Sequence, residues 1–134
     1  MKEHQIQLLI EEAIKARDYA YAPYSHFKVG AALLCGDNSI YRGCNVENAS
    51  YPAGNCAERT AIFKAVSEGK TNFQAIAIVG GKENGKLEYC PPCGICRQVL
   101  SEFCEEDFLV ILSDNDRDYK QYKLIELLPL QFEL

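Results

Sequence analysis

"GNCAERTAIFKA", residues 54–65, sets a cysteine two places before a glutamate and then runs on as a helix. Pro52 and Gly54 lead into it and Gly69 closes it, so the spacing predicts a helix from about Asn55 to Ser67. Inside a helix, residues i and i+2 point about 200° apart and cannot share a target. If Cys56 and Glu58 act together, Cys56 must stand at or just before the first helical position, with Glu58 in the first turn. The stretch also has a purely local reading. Asn55 and Glu58 have the spacing of an N-cap residue and its glutamate partner in a capping box. What Cys56 binds decides between the two.

Outward from this helix, strand and helix patterns alternate. Residues 6–21 place Ile6, Leu9, Ile10, Ala13, Ile14 and Tyr21 at three- and four-residue spacing, with Arg17 on the same stripe, and Pro23 ends the run. "FKVGAALLCG" (27–36) and "IYRGCNVEN" (40–48) flank a "GDNS" turn and read as a hairpin. "FQAIAIVGG" (73–81) is a buried strand followed by a polar turn, "KENGK". "PPCGICRQVLSEFC" begins with prolines and becomes a helix, "DFLVILSD" (107–114) is a strand, and "YKLIELLP" (122–129) is a short last helix. The order α-β-β-α-β-α-β-α, with its later strands and helices alternating, implies parallel crossovers behind an opening hairpin. That is a three-layer α/β/α sandwich around a mixed sheet. No repeat or linker divides residues 1–134, so a single domain is expected.

Composition narrows the function. A chain of 134 residues can bury a core without staples. The net charge of −5 leaves no basic footprint for nucleic acid or an anionic membrane. No apolar run approaches the roughly 18 residues of a membrane span, and "KEHQIQ" after Met1 is not a secretory leader. A cytoplasmic setting is expected. The seven cysteines are an odd number, and in a reducing compartment clustered cysteines bind metal or do chemistry rather than form a disulfide framework.

Cys93 and Cys96, in "PCGIC", are spaced i, i+3 at a helix start, which puts both sulfurs on one face. The helix N-terminus favours thiolate, and two thiolates there suit zinc. Cys56 supplies a third from another helix start, 37 residues before Cys93. A structural zinc would need a fourth ligand, for which Cys35, Cys44, Cys90 or Cys104 are available. A catalytic zinc leaves that position to water, which a carboxylate at Glu58 can reach. "CPPC" (90–93) is also a candidate redox pair, although its prolines hold Cys90 in an extended segment ahead of the helix.

"CAERTA" (56–61) with "PCGICRQ" (92–98) matches a known signature and resembles the zinc-dependent nucleoside deaminases, above all the small homotetrameric cytidine deaminases. "YAPYSHFKVGAAL" (21–33), "GCNVENASY" (43–51) and "ELLPLQF" (126–132) are similar to further segments of that family, so the resemblance covers nearly the whole chain. It implies a central sheet of five strands and one zinc held by Cys56, Cys93 and Cys96, with Glu58 as proton shuttle. It implies hydrolytic deamination of free cytidine and deoxycytidine, no polymer or membrane partner, and a homotetramer with sites completed across subunits.

The resemblance also implies that Asn45 and Glu47 read the ribose. As i, i+2 residues of a strand they would face one side; a solvated strand end is the plainer reading. By the same resemblance Phe27 packs against the pyrimidine, although a core position fits it equally. Backbone groups around Ala57 meet the base edge, and Phe132 reaches a neighbouring subunit's site. Three thiolates on Zn²⁺ leave a net charge of about −1, so Arg59 is expected to draw charge from a ligand sulfur, with a surface ion pair as the alternative. Ile95 stands where the family has a small residue, and blasticidin-type deaminases accept larger ones there. Neither His4 nor His26 fits a ligand position.

Overall fold

The computed structural model describes residues 1–134. Its elements are α1 (Glu3–Arg17), β1 (Phe27–Cys35), β2 (Ile40–Cys44), a 3₁₀ turn (Tyr51–Ala53), α2 (Ala57–Ser67), β3 (Phe73–Lys82), α3 (Gly94–Phe103), β4 (Leu109–Ser113), β5 (Tyr119–Lys123) and α4 (Leu124–Leu127). One sheet of five strands runs in the order β2-β1-β3-β4-β5. β1 is antiparallel to both β2 and β3, and β4 is antiparallel to β5. Only β3 and β4 are parallel, with α3 in the connection between them.

The two-residue period of the strands separates the core into two faces. Ala31, Leu33, Ile76, Ile78, Val110 and Leu112 face α2 and α3, where they meet Ala61, Ile62, Ala65 and Leu100. Ala32, Leu34, Ala75, Ala77, Val79 and Ile111 face α1 and its Ile6, Leu9, Ile10 and Ala13. Each fully buried Leu or Ile stabilises the fold by about 1.5–3 kcal/mol relative to exposure. The expected three-layer α/β/α sandwich is therefore the observed one.

Two glycines let the helices lie directly on strand backbone. A Cβ at Gly30 would come 2.1 Å from the Ala13 carbonyl oxygen, and one at Gly43 would come 2.3 Å from that of Ala57. The second approach seats the first turn of α2 against the end of β2. Arg17 explains its place on the apolar stripe of α1. Its guanidinium donates to the carbonyls of Lys28, Gly81 and Lys82 at 2.9–3.0 Å, tying the helix end to β1 and β3.

Three expectations shift. α1 ends at Arg17 rather than Tyr21, because Tyr21 is drawn into a bridge with Val46. β2 ends at Cys44 rather than Asn48. There the Asn45 side chain replaces the ladder, accepting from Val29 N–H and donating to the Phe27 carbonyl, each at 2.8 Å. The last helix begins at Leu124 rather than Tyr122, since residues 119–123 form β5. The turn that starts β5 holds Arg117 at φ 61°, with Asp114 accepting from Asp116 N–H at 3.0 Å.

Candidate active site

Cys56 is the N-cap of α2, with extended backbone (φ −80°, ψ 156°). The condition set by the i, i+2 spacing is met: Cys56 precedes the helix and Glu58 lies in its first turn. The capping-box reading fails, because the cap falls on Cys56 and not on Asn55, whose amide donates instead to Thr60 Oγ1 at 3.3 Å. Cys93 is likewise the N-cap of α3 (φ −67°, ψ 169°), and Cys96 follows, buried, in its first turn. Neither capping cysteine bonds its own helix amides through its side chain.

The three sulfurs face one another instead. The Sγ atoms of Cys56, Cys93 and Cys96 all lie within 4.8 Å of one another, a group that could hold one zinc ion. The donor set fits that metal: three soft sulfurs, two of them at helix starts whose dipoles favour thiolate. The Cys96 thiol and then Arg59 hold Cys56 down to about 5, while Cys96 itself is held up. Arg59 Nη2 donates to Cys56 Sγ at 3.2 Å, and its Nε is buried with no partner.

Glu58 is 5% exposed. Burial, partly offset by its own backbone amide, pushes its carboxyl up to about 7. Cys56 and Glu58 share a pocket of about 610 Å³ with Phe27, Asn45, Glu47 and Ala57. Asn45 and Glu47 lie beyond β2, but Val46 between them is bridged on both sides, so the segment stays extended and both residues reach the same pocket. Phe132 does not line it. It is 66% exposed on the C-terminal tail, and its carbonyl accepts from the Gln98 side-chain amide at 3.2 Å.

The remaining cysteines stand apart from the sulfur group. Cys35 is in the sheet core, and the Cys104 thiol is pushed up to about 12 by burial. Cys90, a candidate fourth ligand by sequence, is not one of the grouped sulfurs but forms part of the pocket wall. Burial and the nearby Glu58 push its thiol up to about 11, which disfavours redox chemistry with Cys93. Ile95 is 62% exposed and does not line the pocket of the single chain.

Sequence reading missed Tyr24 and Ser25. Both line the pocket and bond the Glu47 carboxylate. The available signal was the Pro-Tyr-Ser turn residues immediately before a strand that begins with Phe27.

A mixed α/β/α sandwich carrying this sulfur group defines a metal-binding α/β domain. The model for the cytidine and deoxycytidylate deaminase zinc-binding region matches residues 3–112, and the chain belongs to that family. A cytidine deaminase of Halalkalibacterium halodurans is 52% identical over 126 residues, covering 94% of this chain and 92% of that protein. One from Sporosarcina psychrophila is 50% identical, covering 95% and 90%. The crystal structure of cytidine deaminase from Burkholderia pseudomallei superposes with a TM-score of 0.86 at 47% identity, covering 98% of this chain and all of the other.

Proposed function

We propose that the chain catalyses hydrolytic deamination of cytidine and deoxycytidine to uridine and deoxyuridine, releasing ammonia, in pyrimidine salvage. The observation that carries this is the burial of Glu58 in the first turn of the helix that Cys56 opens, beside a three-sulfur group. Family membership and relatives that are cytidine deaminases at about half identity support it.

In this reading Cys56, Cys93 and Cys96 hold one zinc. When bound, the zinc supplies Lewis-acid activation of water. Glu58 accepts a proton from the attacking water and gives it to the ring nitrogen next to the amine-bearing carbon. It then carries the proton that lets ammonia leave. A buried carboxyl, whose charged form burial disfavours, suits both halves of that task. Phe27 packs on the base, backbone groups at Ala57 meet its edge, and Asn45 and Glu47 face the sugar. Arg59 draws charge from Cys56.

The reading extends to a single catalytic domain over residues 1–134, a cytoplasmic setting and a homotetramer. The seven free cysteines suit a reducing compartment. The exposed tail residues Leu130 and Phe132, with exposed Tyr19 and Tyr51, suit self-association. Light scattering after size exclusion tests the assembly.

The decisive experiment follows the absorbance fall as cytidine becomes uridine, for zinc-loaded wild type and Glu58→Ala. Turnover in wild type, lowered about 10²–10⁴-fold in the variant with zinc retained, is expected. A wild type that binds zinc through four sulfurs and leaves cytidine intact would refute the proposal.

A further inference from the structure

We infer that Ser25 is a positioning residue whose one hydroxyl sets the sugar-facing Glu47 and the base-facing Phe27 relative to each other. The inference rests on the roles proposed above for those two residues.

Glu47 follows β2 and Phe27 opens β1, so they reach the pocket from different segments. Ser25 connects them. Its hydroxyl donates to Glu47 Oε2, and its Oγ accepts from Phe27 N–H at 3.0 Å. A hydroxyl has one proton. That proton goes to Glu47, because the Phe27 N–H can only donate and the other acceptor in reach, the Phe27 carbonyl, is neutral and 3.5 Å away, at the far limit of a hydrogen bond. The polarity of the chain Phe27 N–H to Ser25 to Glu47 is thereby fixed.

The backbone completes the hold. Glu47 Oε1 accepts from Tyr24 N–H at 3.0 Å and from Ser25 N–H at 3.1 Å. A carboxylate offers about four acceptor positions, so these donors and the hydroxyl leave roughly one, on Oε2, for a ligand. The same donors, the Ser25 hydroxyl foremost, hold the Glu47 carboxyl below its usual range and thus ionised. A glutamate already fixed in this way loses little rotamer freedom when it meets a sugar hydroxyl. Ser25 therefore acts on the substrate through Glu47. A serine that only stabilised the start of β1 would change stability and leave sugar recognition unaltered.

The test measures kcat and KM for cytidine with zinc-loaded wild type, Ser25→Ala, Ser25→Thr, Glu47→Gln and the Ser25→Ala/Glu47→Gln double variant. Loss of the hydroxyl is expected to raise KM about tenfold, with kcat changing less than about threefold. Ser25→Thr, which keeps a hydroxyl, is expected to restore KM to within about threefold of wild type. In the Glu47→Gln background, Ser25→Ala is expected to add less than about twofold. Additive effects, or a lowered melting temperature with KM unchanged, would overturn the inference while leaving cytidine deamination intact. A wild type that does not deaminate cytidine would overturn the functional reading, and the role of Ser25 with it.

Discussion

Arg59 donates from Nη2 to the Sγ of Cys56 across 3.2 Å, one turn further along the helix that Cys56 caps. It is bonded to sulfur, and the surface ion pair considered as its alternative is absent. A charge-assisted bond of this kind is worth about 1.5–3 kcal/mol. Arg59→Gln is therefore expected to lower kcat by roughly ten- to a hundredfold with zinc still bound. Deamination rates and metal content measured on the same sample check this, and unchanged turnover would remove Arg59 from the mechanism.

A zinc ion held by Cys56, Cys93 and Cys96 would join the starts of α2 and α3, two elements that otherwise meet mainly through core packing. A ligand that binds only the folded state stabilises by about 4 kcal/mol at a thousandfold excess over its Kd. Chelation is expected to lower the melting temperature by on the order of 10 °C, and added zinc to restore it. Calorimetry with and without chelator is the measurement. A midpoint indifferent to metal would show that no ion bridges the two helices.

Gly43 admits the Ala57 carbonyl to a place that a methyl group would fill. Gly43→Ala is expected to cost about 3 kcal/mol, at the upper end of overpacking, and to displace the first turn of α2. Urea denaturation reads the stability. At Gly94 an added Cβ meets nothing within 4 Å, so Gly94→Ala serves as the stability control. Equal midpoints for the two variants would contradict the close contact of α2 with β2.

Glu12 on α1 is ion-paired with Arg42 on β2, and that hydrogen bond holds its carboxyl below the usual range against the opposing effect of burial. A lowered folded-state pKa contributes stability above the unfolded value of about 4.3 and loses it as pH falls through the folded one. Glu12→Gln is expected to cost up to about 1 kcal/mol at pH 7, the pair being partly exposed, and less at pH 3. Urea midpoints at both pH values decide it. A gap that persists undiminished in acid would mean that the ion pair is not its source.

Much of the fold was readable because its determinants are local. The short apolar run "FQAIAIVGG" marked β3 as a buried strand, and the two-residue period then sends Ile76 and Ile78 to one core and Ala75 and Ala77 to the other. β5 escaped because Tyr122 with Ile125, and Leu124 with Leu127 and Leu128, fit a helical spacing, and only pairing with β4 draws Tyr119–Lys123 into the sheet. The site divides in the same way. Cys56 as a cap and Glu58 in the first turn followed from geometry inside one helix. The commitment of the Asn45 amide to β1, the presence of Cys90 in the pocket wall and the bond from Ser25 to Glu47 did not.

The sequence by itself determined the order of the elements as far as β4, the two helix starts that carry cysteine, and the family to which the motifs point. These depend on hydrogen bonding and side-chain direction over a few residues. Only the tertiary structure decided that sulfurs 37 residues apart in the chain meet within 4.8 Å, and which residue holds Glu47. Those contacts exist because α2 and α3 lie on one face of the sheet and Gly43 lets α2 approach it. That closeness is a product of packing between distant segments, and no short stretch of chain encodes it.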